Sequence, residues 1–311
     1  MKVCVQSGGI IEYTGAKKCY ELIEKAGFTG IDWNGLGRCL PGSVISKHEY
    51  KGKCILEQPL DAVLAHFAPE IEQIRKHGLI ISQAHAPFPA YIPGHPEVLE
   101  YMIGIFNRAI EVCEHVGCKN LVIHGISLSC EDKVNTWECI DELNMHLYES
   151  LIPQLRKCTN VTVCLENLFT WVADHGAVEG TCSNPCQAVE YIDALNEKAG
   201  REAFGLCLDT GHLLVVKKDV RTYISMLGKR IKALHIHDND GVSDRHFAPF
   251  TGKFMWDSFC EALHKAGYEG DLSFETFAQT RKVLKFDEEL LLPWLTMIRQ
   301  TGECFRKHIQ G

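Results

Sequence analysis

Long apolar runs are missing from this 311-residue chain. The longest tight one, Leu290–Trp294, is broken by Pro293 and follows Asp287, Glu288 and Glu289. It falls far short of the ~20 residues that span a bilayer, so no membrane partner is expected. The opening MKVCVQSGG lacks the apolar core and cleavage site of a secretory signal and reads as a first strand. Cationic excess is missing too: 32 Lys and Arg face 40 Asp and Glu, a net charge of −8. Proteins that hold nucleic acid usually show a basic face, so a nucleic-acid partner is disfavoured. No GxGxxG follows the first strand, where SGGIIEYTG stands, and no Walker sequence occurs, so no nucleotide cofactor is expected. Cysteine is not scarce, at 15 residues, but no CxxC pair exists, and Cys182 with Cys186 (CSNPC) has no second pair downstream. That argues against a structural zinc ribbon. Cys4, Cys164 and Cys207 sit inside apolar, strand-like runs, where cysteine behaves as a small buried hydrophobe. Reduced thiols and a cytoplasmic location are the expectation.

What the chain does have is alternation. Short β-rich runs are predicted at Lys2–Ser7, Gly30–Trp33, Leu79–Ala84, Asn120–His124, Val161–Glu166, Ala203–Asp209, Ile231–His235 and Asp271–Glu275. Between them lie amphipathic stretches such as LDAVLAHFAPEIEQIRKHG and PCQAVEYIDALNEKAG. Several end in glycine, at Gly27, Gly78, Gly117 and Gly267, as helix C-termini prefer. Eight strands alternating with helices predict a parallel α/β fold. A closed (β/α)₈ TIM barrel needs ~250 residues, so one domain with insertions fills residues 1–311. Residues 36–59 form a loop insertion between the second strand and its helix.

In such a barrel the active site lies at the C-terminal ends of the strands. Here the third predicted strand ends in His85, the fourth in His124 and the fifth in Glu166. The sixth delivers Asp209 and His212, the seventh His235, His237 and Asp238, and the eighth Glu275. Taken singly each has an ordinary explanation: a loop histidine, a solvated carboxylate, or, for Asp209, the cap of the next helix. Six consecutive strands sending such residues to one rim is the stronger observation. Mixed carboxylate and imidazole donors suit a divalent Mn²⁺, Co²⁺, Fe²⁺ or Zn²⁺. After the seventh strand, DNDGVSDRHFAPFTGKFMW offers Asp244 and His246 to the same mouth, and Arg245 and Lys253 for anionic substrate groups.

The ordered motifs CLEN, CLDTGH, HIHD, DRHFAPFTGKFMW and SFET resemble the xylose isomerase-like TIM-barrel superfamily, from Lys2 to about Trp294. That grouping holds sugar isomerases and epimerases, related lyases and dehydratases, and endonuclease IV. The resemblance implies a mononuclear metal site of Glu166, Asp209, His235 and Glu275, with His237 in reserve for His235. It implies a sugar substrate met by His212 and by Trp256 of the GKFMW turn, and frequent homo-oligomers. Glu166 and Glu275 would then move a proton beside a carbonyl, through a metal-stabilised enediolate. The alternative is a trinuclear zinc phosphodiesterase, because every ligand type of endonuclease IV has a counterpart in His85, His124, Glu166, Asp209, His212, His235, Asp244, His246 and Glu275.

Overall fold

The computed structural model describes residues 1–127 and 136–311. In chain order the strands are β1 (Val3–Gln6), β2 (Gly30–Trp33), β3 (Ile80–His85), β4 (Asn120–Val122), β5 (Thr162–Glu166), β6 (Phe169–Val172), β7 (Gly176–Glu179), β8 (Phe204–Asp209), β9 (Ile231–His235) and β10 (Leu272–Phe274). Eight of them form one parallel sheet in the order β10-β1-β2-β3-β4-β5-β8-β9. The backbone bonds Ile236 N–H to Ser273 O (2.8 Å) and Glu275 N–H to Ile236 O (3.0 Å) join β9 to β10 and close the ring. The fold is a (β/α)₈ barrel, and each of the eight predicted runs coincides with a barrel strand within two residues at either end.

The sequence explains the elements locally. Helix Pro96–Val116 begins with proline, whose missing N–H is no loss in a first turn. It buries Val98, Leu99, Met102, Ile105, Phe106, Ala109 and Ile110 at helical spacing, and ends at Gly117 with φ +82°. Helix Pro185–Ala199 has the Asn184 side chain accepting from Cys186 N–H at one end and Gly200, φ +75°, at the other. Gly27, Gly78, Gly117 and Gly267 all carry positive φ, as expected of helix ends. The C-terminal helix Leu291–Gln310 lies so close to the sheet that a Cβ on Gly302 would stand 2.4 Å from Val3 Cγ1. On the barrel axis, Val122, Cys164, Cys207 and Ala233 make a floor of small apolar side chains. Burial pushes the Cys164 and Cys207 thiols upward, so they stay protonated there.

Two departures from the sequence reading matter. Residues 36–59 are not bare loop: they hold helix Gly42–Ser46 and the 3₁₀ turn Ile55–Glu57, with Leu40, Ile45 and Leu56 buried. The second is an antiparallel hairpin, β6 with β7, which follows β5 and which the apolar pattern does not predict. It brings Leu168 and Phe169 to the mouth of the barrel.

Candidate metal centre at the barrel mouth

A cavity of about 470 Å³ opens at the C-terminal ends of the strands. Its depth is polar and its rim aromatic. His235, at the end of β9, is 1% exposed and stands at the centre. Its Nδ1 lies 3.3 Å from Glu166 Oε1, 3.6 Å from Glu275 Oε2 and 3.9 Å from Asp209 Oδ2. Three carboxylates from β5, β8 and the end of β10 thus converge on one imidazole nitrogen. Its Nε2 faces Asp32 Oδ2 at 3.2 Å.

The other histidines surround this quartet. His124 Nε2 lies 3.0 Å from both Glu166 Oε2 and His85 Nε2. His212 Nδ1 sits 3.3 Å from Glu166 Oε1 and 2.9 Å from Asn167 O, and its Nε2 is 3.7 Å from Asp244 Oδ2. Asp244 Oδ2 lies 2.8 Å from His246 Nε2. His237 sits behind Asp209, with Nε2 3.0 Å from Asp209 Oδ2. Local structure fixes these positions: the Asp209 side chain caps the short helix Thr210–Val215 by accepting from His212 N–H at 2.7 Å. Asn167 exchanges two hydrogen bonds with the Asp209 backbone. A Cβ on Gly211 would stand 2.0 Å from the His237 ring, so only glycine lets that helix approach.

Do these residues suit a cation? Buried polar atoms nearly always find a hydrogen-bond partner, and exceptions demand a reason. Here both ring nitrogens of His235, Nδ1 of His237, Oε2 of Glu166 and Oδ1 of Asp244 and Asp32 have none. Six such atoms stand together in the one cluster. Electrostatics agree: burial drives the His212 imidazole toward neutrality, yet Asp209, Asp244 and Glu166 override it and hold His212 well above the ordinary histidine range. For His237, burial is again outweighed, by the charge and hydrogen bond of Asp209, and the pKa rises to about 9. Glu166 is driven up by burial and held far below the carboxylate range by His124 and His235. The ring calls for positive charge at its centre. A divalent cation would supply it and leave the imidazoles neutral, the form that ligates. The residue groups that bring a ligand atom each within 4.8 Å of one another include His85, His124 and Glu166; Glu166, Asp209 and His212; Glu166, Cys207 and His235; and His237, Asp244 and His246.

The model of the family described as xylose isomerase-like TIM barrel matches residues 21–308. The chain belongs to that family. An uncharacterized protein, y4fM, of Sinorhizobium fredii is 25% identical over 84% of this chain and 81% of its own. A ketose 3-epimerase of Arthrobacter globiformis is 32% identical, but the match covers only 30% of this chain and 29% of that enzyme. A probable endonuclease 4 of Staphylococcus carnosus is 24% identical over 64% of this chain and 67% of its own. A solved structure, the IOLI protein with a bound zinc atom, superposes with a TM-score of 0.68 at 19% identity, covering 97% of this chain and 96% of that one; at that identity the likeness speaks for the fold.

Within this xylose isomerase-like barrel, ten of the residues picked from the sequence form one contiguous cluster: His85, His124, Glu166, Asp209, His212, His235, His237, Asp244, His246 and Glu275. Four do not join it, three of them proposed substrate contacts. Arg245 turns outward to Asp240, Nε to Oδ2 at 3.0 Å. Lys253 is exposed on the turn before the last barrel helix. Trp256 is buried on the far side of that turn, its Nε1–H donating to Asp238 at 3.2 Å while its ring stacks on Phe305. None of the three lines the cavity. Asp238, named at the end of the seventh strand, is likewise spent on structure, accepting from Asn239, Gly252, Phe254 and Trp256.

Residues absent from the sequence reading complete the site. Gln6 Nε2 donates to Glu275 Oε1 at 2.5 Å, and Gln83 Nε2 to Asp32 Oδ2 at 2.9 Å. Both Gln6 and Asp32 lie at the ends of predicted strands, so the rule that found Glu166 and Glu275 reaches them also. Phe88, Phe169 and Phe277 line the mouth from loops and element starts, with no marker in sequence. Arg281 is the sole Lys or Arg lining the cavity among the described residues, its guanidinium 4.8 Å from the Phe277 ring centre.

Proposed function

We propose that this chain is a divalent-cation-dependent sugar isomerase or epimerase, moving a proton on carbon beside a carbonyl. The observation that carries this is the convergence of Glu166, Asp209 and Glu275 on His235 Nδ1 at 3.3 to 3.9 Å, at the foot of an aromatic-walled cavity. Glu166, Asp209, His235 and Glu275 would hold the cation. When bound, it supplies Lewis-acid polarisation of a carbonyl and its neighbouring hydroxyl. The partial match to a ketose 3-epimerase supports the substrate class.

The chain's own groups then divide the work. Glu166 comes from β5 and Glu275 from the end of β10, with β8 and β9 between them around the ring, so their carboxylates approach a bound sugar from different directions. One takes the proton at a carboxylate oxygen, and the other returns one to the opposite face or to the neighbouring carbon. The Gln6 amide holds Glu275 in place. His212 Nε2, turned toward Asp244, is placed to hold a substrate hydroxyl. Phe88, Phe169 and Phe277 shield the reacting carbon from water and lie against apolar sugar faces. Incubation with a panel of ketoses in deuterated water tests the proposal. Deuterium should appear on a carbon next to the carbonyl, and a protein that binds ketoses without exchanging any proton would end it.

The several histidine–carboxylate groups around the mouth favour one second reading, hydrolysis of a phosphodiester by a three-ion centre. Elemental analysis decides between them: about one ion per chain supports the sugar enzyme, three tightly held zinc ions the hydrolase.

A further inference from the structure

Outside the barrel mouth, another set of donors meets across a seam. His48 belongs to the 36–59 insertion, while His95 and Glu97 lie at the start of helix Pro96–Val116. The two imidazole rings stand with centres 4.0 Å apart and planes at 48°. His95 Nδ1 lies 3.0 Å from Glu97 Oε1. One ligand atom from each of the three residues falls within 4.8 Å of the other two. His48 is held there by a left-handed backbone, φ +58°, a conformation few non-glycine residues adopt. The side chains are half-exposed, with 43% of His95 and 54% of Glu97 open to water, so solvent can fill the remaining coordination positions.

We propose that His48, His95 and Glu97 form a second, peripheral binding site for a borderline transition-metal ion such as Zn²⁺, Ni²⁺ or Cu²⁺. Two imidazoles and one carboxylate select these ions over Mg²⁺ and Ca²⁺, which prefer all-oxygen shells. Two imidazoles 4.0 Å apart repel when both are protonated, and a shared cation turns that crowding into attraction. The ion would tie the insertion to the segment after β3. That segment also carries Phe88, Pro89, Ala90 and Tyr91, which line the cavity, so occupancy fixes one wall of the mouth. The site shares no residue with the centre at the strand ends.

The test is zinc uptake by equilibrium dialysis at one free zinc concentration, comparing the intact protein with single variants. His48→Ala, His48→Gln and His95→Ala should each bind one ion fewer per chain than wild type. Glu97→Gln should weaken that ion on the order of tenfold. His308→Ala, which removes another exposed histidine, should bind as many ions as wild type. Because the readout is a difference of one ion, it stands whether or not the barrel mouth holds metal. Added zinc should also raise the Tm of wild type more than that of His48→Gln. Equal uptake by wild type and the His48 and His95 variants overturns the proposal, and so does an equal loss in His308→Ala.

Discussion

Two buried aspartates mark two regions that look alike in sequence and differ in physics. Asp209 ends β8 and Asp238 lies just past β9, both fully buried. Asp238 is saturated: its carboxylate takes N–H groups from Asn239, Gly252 and Phe254 and the indole N–H of Trp256, all between 2.9 and 3.2 Å. It ties the turn at 252–256 to the sheet. Asp209 belongs to a cluster where His235, His237, Glu166 and Asp244 keep polar atoms with no donor or acceptor aimed at them. A buried charge whose hydrogen bonds are complete is part of the framework. A cluster of buried charges left incomplete is arranged for something else to complete it.

The widest separation between the two regions should come from conservative changes at the proposed acid and base. Glu166→Gln and Glu275→Gln keep the shape and remove the charge. Each should lower sugar turnover on the order of 10³-fold while leaving the denaturation midpoint close to wild type. Deuterium exchange and urea unfolding, measured on the same preparations, check both halves. Unimpaired exchange in either variant removes that residue from the proton-transfer role.

Asp238→Ala should do the reverse. It strands three backbone N–H groups and an indole N–H in a dry turn, which destabilises the fold by about 3 kcal/mol or more. Chemical denaturation should register that loss, and cation content per folded chain should stay as in wild type. A variant as stable as the parent would show that the turn stands without its carboxylate.

A smaller effect separates the regions by pH. In cation-free protein the His237 pKa stands at about 9 against 6.5 for an ordinary histidine. A raised pKa means that the charged form stabilises the fold fully below pH 6.5, and that this share is lost as pH rises toward about 9. With a cation beside Asp209 the carboxylate is already neutralised, so the decline should flatten. Binding should also release protons at neutral pH, because imidazoles must shed them to ligate. Melting temperatures from pH 6 to 9, with chelator and with added Mn²⁺ or Zn²⁺, measure the first. Calorimetry in buffers of different ionisation heat measures the second. Parallel pH curves with and without cation would mean that no ion enters the cluster.

The sequence was most legible where burial imposed a pattern. Barrel strands such as VTVCLEN and GLCLDTGH are apolar on both faces, because one faces the axis and the other the helices; their polar ends therefore stand out, and Glu166 and Asp209 could be read directly. The β6–β7 hairpin carries no such mark, since its residues are half-exposed or exposed and need no apolar run. Gln6 and Asp32 occupy the same kind of position as Glu275 but are single polar residues closing ordinary-looking strands. What composition could not separate was Asp209 from Asp238: the groups that saturate Asp238 lie on a turn 14 to 18 residues downstream, while Asp209, met by His212 N–H and His237, differs in having unpartnered neighbours.

The same ambiguity governs the loop cations, and there the expected effect is smallest. Arg245 and Lys253 flank His246 and Gly252 in a stretch that does reach the mouth, so sequence alone favours placing them at an anionic substrate. In the fold, consecutive loop residues face opposite ways: Asp244 and His246 turn inward to each other at 2.8 Å, and Arg245 turns out to Asp240. The Arg245–Asp240 pair is half-exposed, and such pairs contribute between nothing and ~1 kcal/mol. Arg245→Ala and Lys253→Ala should therefore change kcat/KM less than about twofold and stability by less than ~0.5 kcal/mol. Arg281→Ala should raise KM for any substrate carrying an anionic group and leave kcat nearly unchanged, because among the described residues its guanidinium is the one that lines the cavity. If Arg245→Ala shifts KM as far as Arg281→Ala does, the loop folds inward when substrate binds, and the saturated and unsaturated regions are no longer separate in the liganded protein.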